Sequence, residues 1–367
     1  MLVIQLHWRR TLWKCCPFDT AGSSDYDLGV YYFPGWGNPC GGPLEGGTSA
    51  TAWGLITNYP GLPVAGVYTA GGVYDENDAN TTLRQANCDK QLREMAYYGI
   101  KWVAVVCYWN AGAPFLTGWI NSYLASTVPN KPKLVIAFDC VAHSPNATDW
   151  VNIYNYWNTN YTNNAYYKKD SEGKPIIIMF GFHQFKANIG GGTDAGTKAV
   201  LDAARAVGNF NIKACVSNPP GEDITATAGS ALAQGYDGLT HYAVLLDEGG
   251  TATNWSSLMT MYNNFYDQIE SYPLPCILPV STGFWNTNWD KTGPAGAGGE
   301  VLLEIAQPTI SQFEEHLTAV KARLDASENK MAIIEAWNEY GEGSVLEPSA
   351  QNGGIARGMM VKKVFGL

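Results

Sequence analysis

"KMAIIEAWNEYGEGSVLEP", residues 330–348, closes a series of similar passages and fixes what the series means. An apolar, strand-like run passes into asparagine, glutamate and aromatics, then breaks at glycine. Upstream, the same kind of run recurs as "LGVYYFPGW" (28–36), "IKWVAVVCYWN" (100–110), "KLVIAFDC" (133–140) and "KPIIIMFGFH" (174–183). It returns as "NIKACVSN" (211–218), at 238–244, and as "CILPVSTGFW" (276–285). With 330–340 as the last, the spacing predicts eight strands. Helical patterns separate them, among them "CDKQLREMAYYG" (88–99), "AGTKAVLDAARAVG" (195–208), "NNFYDQIESY" (263–272) and "TISQFEEHLTAVKARLDAS" (309–327).

Near-continuous apolar strands alternating with helices indicate a parallel sheet covered on both faces. Eight such units predict an α/β fold, a single (β/α)8 TIM barrel with long βα loops. The rival, an open doubly wound sheet, would carry a glycine-rich phosphate loop after a strand. The "GGG" at 190–192 neither follows a strand directly nor fits dinucleotide spacing. Residues 1–24 read as an N-terminal tail and 25–367 as the catalytic barrel domain. The loop at about 37–87, rich in Gly and Pro, is too long for a mere connector and is expected to form one wall of a cleft.

Composition narrows the function. The net charge is −10 with no basic run, which argues against nucleic acid and anionic membranes and mildly against anionic substrates. No apolar stretch reaches the roughly 18 residues of a membrane span. The 21 Tyr and 13 Trp exceed what a core needs, and flat apolar faces with polar edges suit sugar rings. The expected partner is a neutral carbohydrate, bound by a monomer. The start, "MLVIQLHWRR", has its apolar residues before its charges, the wrong order for a signal peptide; composition alone favours an extracellular or periplasmic setting. The histidines show no HxH or HExxH spacing and the eight cysteines no CxxC pair, so neither a metal nor another cofactor is expected. Cys40 and Cys88 are candidates for a disulfide across a loop; Cys107, Cys140, Cys215 and Cys276 sit in apolar runs and read as buried thiols.

A parallel barrel places its site at the C-terminal strand ends. Those ends carry Tyr31, Tyr32 and Trp36, then Tyr108 and Trp109, then Asp139, His183, His241 and Tyr242. Trp285, Asn286 and Asp290 follow the seventh strand, and Trp337, Asn338, Glu339, Tyr340 and Glu342 the eighth. Glu335 points either outward or into the barrel, and Glu347 reads as a brace for its loop. Cleaving a glycosidic bond needs a proton for the leaving oxygen and stabilisation of an oxocarbenium-like transition state. An ordinary Glu is only ~0.2% protonated at pH 7, and one shifted to about 6–6.5 is ~10–25% protonated. Burial among aromatics and a second carboxylate push in that direction. Glu342, flanked by Gly341 and Gly343 and close in sequence to Glu339, has both available.

"AWNEYGEGSVLEP" resembles the "WNEW-x-EG…EP" signature of the glycoside hydrolase family 99 and WbsX-like group. "GVYYFPGW", "MAYYGIKWVAVVCYW", "GKPIIIMFG" and "PVSTGFWNTNWD" resemble, in order, further units of that group, so the likeness spans roughly residues 28–348. Tyr340 stands where the group usually has Trp, and Gly341 where its α-mannan enzymes carry His. The resemblance implies a TIM-barrel glycoside hydrolase with Glu342 as general acid/base. It implies that Glu339 assists attack by the substrate's own 2-hydroxyl, with net retention. Read from the residues alone, double displacement or inversion stays open, with Asp139 or Asp247 as the second carboxylate. Two other functions fit the same features, a WbsX-like glycosyltransferase and a non-catalytic glycan-binding barrel. The acid cluster at 75–78 lacks the DxD spacing usual in nucleotide-sugar transferases, and the chain keeps both glutamates that a binding module could lose.

Overall fold

The computed structural model describes residues 24–36, 76, 80–110, 112–140, 149–216, 223–247, 250–270, 272–285, 304–305, 307–349 and 354–367. Eight parallel strands form the core: β1 Asp27–Tyr32, β2 Trp102–Asn110, β3 Lys133–Asp139, β4 Ile176–Phe180, β5 Asn211–Val216, β6 Gly238–His241, β7 Leu278–Ser281 and β8 Met331–Glu335. They pair in the order β7-β8-β1-β2-β3-β4-β5-β6. The remaining seam, between β6 and β7, closes at a Leu239–Cys276 bridge, where Leu239 N–H donates to Pro275 O (2.9 Å) and Ile277 N–H to Leu239 O (2.8 Å). Sequential parallel pairing around a closed ring is the (β/α)8 barrel expected from the alternation of strands and helices.

Helices cover the outside: α1 Thr81–Tyr97, α2 Gly118–Ala125, α3 Asp149–Trp157, α4 Phe182–Asn188, α5 Asp194–Gly208, α6 Ile224–Ala233, α7 Trp255–Glu270, α8 Ile310–Ala326 and α9 Ala356–Phe365. Strand parity divides two cores. Val30, Val103, Ile136, Ile177, Ile212 and Ile334 face the helices, whereas Trp102, Ala104, Val135, Ile178, Cys215 and Ile333 fill the barrel. α1 begins at Thr81, seven residues before the apolar pattern at 88–99, because Asn80 caps it by accepting from Leu83 N–H. α8 starts with a capping box in which Thr309 and Gln312 satisfy each other's backbone.

The eighth strand is shorter than the apolar run predicts. It stops at Glu335, and the Glu335–Ala336 peptide is cis. Asn338–Glu339 instead pairs antiparallel with Ser344–Val345, turning over residues 340–343 with Gly343 at φ 67°. The strand end thus becomes a hairpin above the barrel. Cys88, Cys107, Cys140, Cys215 and Cys276 are thiols; Cys40, and with it the candidate pairing to Cys88, lies outside the described residues, as does nearly all of the tail at 1–24. Among the described residues no helix is long and apolar enough to cross a membrane.

Gly29 faces the barrel floor, where a methyl group would sit 2.3 Å from the Trp102 ring. Gly29→Ala is expected to lower unfolding free energy by about 1–3 kcal/mol through overpacking, read as a lower urea midpoint with unchanged slope.

Candidate active site

At the C-terminal mouth of the barrel, three aromatics from β1, β4 and the end of β6 meet edge to face. Tyr31 lies 5.2 Å from both Phe180 and Tyr242, and Phe180 lies 5.3 Å from Tyr242. Tyr242 Oη donates to Glu342 Oε2 at 2.8 Å, joining this floor to the hairpin. Tyr108, buried at the end of β2, stands close enough to Asp139, Glu339 and Glu342 for their charges to raise its pKa further, after burial as the main cause. The strand ends therefore bring together Tyr31, Tyr108, Asp139, Tyr242, Glu339 and Glu342.

The two hairpin glutamates differ in environment. Glu339 is 7% exposed and its Oε1 has no partner among the described residues. Burial raises its pKa well above the ordinary carboxylate value, and the charges of Glu342, Glu335 and Glu76 raise it further; the Gly341 amide opposes them weakly. Glu342 is half-buried and accepts from Tyr242. Each carboxylate's charge disfavours ionisation of the other. Burial therefore favours the neutral form of Glu339.

Glu335 is a third acid, fully buried beneath the pair. It shares strand parity with Ile333, inside the barrel, and its charge reaches Tyr31, Cys215 and Tyr242. Ser344 Oγ lies 2.9 Å from its Oε1, and Tyr262 Oη from α7 lies 3.4 Å from its Oε2. Burial first, then Glu342, pushes its pKa well up.

Several aromatics and polar groups predicted to line the cleft instead fasten the hairpin to the barrel. Asn338 accepts from Phe33 N–H and donates to Phe33 O, both at 2.9 Å, and donates to Glu76 at 3.2 Å. Trp36 Nε1 donates to Asn338 O at 2.7 Å, and its ring meets Tyr340 edge-on. Tyr340 Oη donates to Glu347 Oε2 at 2.8 Å, and Gln91 Nε2 donates to Glu347 Oε1 at 3.1 Å. Tyr32 Oη bonds Glu76 and Gln91, and its ring stacks on Trp119. Glu347 is thus tied on both oxygens, as expected of a brace.

Three residues face the helices. Trp109 packs on Tyr156 and Trp337 near Tyr98. His241 lies edge-on to Phe265 of α7, with both nitrogens unpartnered among the described residues and burial lowering its pKa to about 3. His183 is the second residue of α4, half-buried beside Phe182. Trp285 belongs to a two-residue strand, Phe284–Trp285, paired with Glu304–Ile305; Asn286 and Asp290 lie outside the described residues. Phe180, Glu76, Tyr262 and Ser344 were not anticipated at the site. Phe180 carried a readable signal, an aromatic ending the apolar run "IIIMF". Tyr262 carried none, because it reaches the site from a helix.

The family model described as Glycosyltransferase WbsX matches residues 72–355. The chain belongs to the WbsX family. Its fold is similar to that of a glycoside hydrolase family 99 endo-α-mannosidase from Bacteroides thetaiotaomicron in complex with Bis-Tris propane, with TM-score 0.64, 12% identity, and 94% of this chain and 98% of that one covered. A second structure of a family 99 endo-α-mannosidase from the same organism gives TM-score 0.62 at 14% identity, with 94% and 98% covered. A glycoside hydrolase-like protein gives 0.60 at 16%, covering 95% of this chain and 96% of that one. No curated protein matches this WbsX-family chain. Among its described residues, no group of three or more His, Cys, Asp or Glu side chains could hold a metal ion.

A carboxyl whose folded pKa is raised binds its proton more tightly in the folded state. Stability therefore falls as pH rises from the unfolded value near 4.3 toward the raised folded value. Glu339→Gln removes that dependence. The variant is expected to match or exceed the parent in stability at neutral pH. The gap should widen with pH by on the order of 1.4 kcal/mol per unit in that window, measured by urea melts from pH 5 to 8.

Proposed function

We propose that this WbsX-family protein is a glycoside hydrolase acting on a neutral polysaccharide or oligosaccharide with retention of configuration. One observation carries the reading. Two glutamates sit on one hairpin at the C-terminal end of β8, one buried with an open carboxyl oxygen, the other held by Tyr242. A pair that shares one proton contains both an acid and a base, which is what glycosidic cleavage requires.

Glu342 serves as acid/base and Glu339 as the partner carboxylate. Binding must move the shared proton from Glu339 to Glu342. A sugar 2-hydroxyl donating to Glu339 Oε1 and a glycosidic oxygen accepting from Glu342 both favour that transfer. Glu339 then takes the 2-hydroxyl proton as its oxygen attacks the anomeric carbon, and Glu342 protonates the departing oxygen. Water opens the resulting anhydro-sugar, giving its proton to Glu342 while the 2-oxygen recovers one from Glu339. Tyr31, Tyr108, Phe180 and Tyr242 supply aromatic surface below the ring. The description of the family as a glycosyltransferase favours a second reading, in which a sugar hydroxyl replaces water in the final step and the same two acids do the same work.

The test is a panel of α-mannan and β-linked glucans, galactans and xylans with the parent protein. Released oligosaccharides are expected. Glu342→Gln should lower kcat on the natural polymer by about 10²–10⁴-fold and recover much of it on a glycoside with an activated leaving group. Glu339→Gln should lose both. The reverse pattern would exchange the two roles, and transfer to an acceptor sugar without hydrolysis would favour the transferase.

A further inference from the structure

Glu335 takes no part in the chemistry just described, yet its surroundings are specific. Ser344 Oγ has one proton and two neighbours: Gly283 O at 2.7 Å and Glu335 Oε1 at 2.9 Å. A carbonyl can only accept, so if Ser344 donates to Gly283, the contact with Glu335 needs a proton from the carboxyl. The far side agrees. Tyr262 Oη accepts from Val244 N–H (3.4 Å) and has its own proton left for Oε2. Thr282 N and Oγ1 both donate to the Glu335 main-chain oxygen, at 3.1 and 2.7 Å.

The groups facing this carboxyl are Tyr262 from α7, Glu339 and Glu342 from the hairpin, Tyr31 from β1, Cys215 from β5 and Tyr242 from the end of β6. None of them is a cation. The nearby His316 ring accepts from Ser281 N–H at 3.2 Å and is buried enough to stay neutral. An ionised Glu335 would therefore have only the Ser344 and Tyr262 hydroxyls to set against its burial and two neighbouring acids.

We propose that Glu335 is a positioning residue: its carboxyl proton goes to Ser344 Oγ, Ser344 passes its own to Gly283 O, and this chain fixes the return strand of the hairpin that presents Glu339 and Glu342. Ser344 opens that return strand and pairs with Glu339 across it. A shift at Ser344 is thus a shift of the acid pair. The inference rests on the reading of that pair as the working acids.

Infrared difference spectra of the full-length protein in H2O and D2O test it without any substrate. At neutral pH the parent should show two protonated-carboxyl C=O bands from the end of β8, beside a partial one from Glu94, whose pKa burial raises to about 7. Glu339→Gln removes one and identifies it. Glu335→Gln should remove the other and leave the Glu339 titration midpoint in place, because the amide can donate to Ser344 and accept from Tyr262. Glu335→Met, similar in size but without a donor, should remove the same band and move the Glu339 midpoint by about one unit or more, with Ser344→Ala reproducing the move. A band that survives in Glu335→Gln would overturn the proton assignment. An unmoved midpoint in Glu335→Met and Ser344→Ala would overturn the positioning role. Should the parent cleave no glycan, the hydrolase reading fails while these spectra still decide the protonation chain. With a substrate, kcat should fall at least tenfold in Glu335→Met and less than threefold in Glu335→Gln, with KM little changed in either.

Discussion

Removing several acids from water at one place is the constraint around which this barrel is arranged. Glu335, Glu339 and Glu347 are buried at the end of β8, Glu76 is buried beside them, and Glu342 is half-buried. Taking one ionised carboxylate out of water costs several kcal/mol, and like charges nearby add to it. The chain meets that cost in two ways. Glu335 and Glu339 are driven toward the neutral acid, and Glu76 and Glu347 are surrounded by donors from Tyr32, Asn338, Tyr340 and Gln91. Glu339 keeps one oxygen with no partner among the described residues. A buried oxygen without a partner is costly, and a hydroxyl placed against it would relieve that cost.

The aromatic residues follow from the same constraint. Tyr, Trp and Gln combine apolar bulk with a donor, so they can exclude water and still satisfy an acid. Tyr32 and Tyr340 do this for Glu76 and Glu347, while Trp36 donates to the Asn338 main-chain oxygen of the hairpin. Gln91 and Trp119 extend the connection to α1 and α2, because Gln91 Oε1 accepts from Trp119 Nε1 at 2.8 Å. The hairpin is therefore anchored to barrel and helices by side-chain contacts, while its own ladder is only two residue pairs long. Such an anchor holds the two acids with the rigidity that a short hairpin alone lacks.

Much of this could be read in the sequence, and the part that could not has a physical reason. All eight strands show as apolar runs because a parallel barrel buries both faces of each strand. That property also hides the facing of individual side chains. Tyr242 reaches Glu342 while its neighbour His241 points to Phe265, a difference of parity that an unbroken apolar run does not reveal. Trp337 and Tyr340 read as cleft walls because they flank the acids in sequence, and Trp36 because it follows the first strand. The hairpin inverts that expectation, since its turn sends the acids inward and buries the rings behind them. The acid cluster at 75–78 reads as a loop feature without DxD spacing; in the structure Glu76 is 3% exposed and accepts from Asn338. Contacts separated by about 260 residues of chain leave no local pattern to find.

The depth of burial also bears on how one fold could serve both hydrolysis and transfer. Either reaction needs an acid for the departing oxygen and a base for the incoming one, and retention lets the same glutamate do both. What separates them is the competition between water and a sugar hydroxyl for the intermediate. That contest is decided by the walls of the cleft and by the binding surface they offer an acceptor, at a distance from the acids. The hairpin with Glu339 and Glu342, pinned through Asn338 and Tyr340, can stay fixed while the loops above it change. If the strand ends carry the chemistry and the loops the recognition, as the proposed reading has it, hydrolysis and transfer are compatible on the same pair of acids.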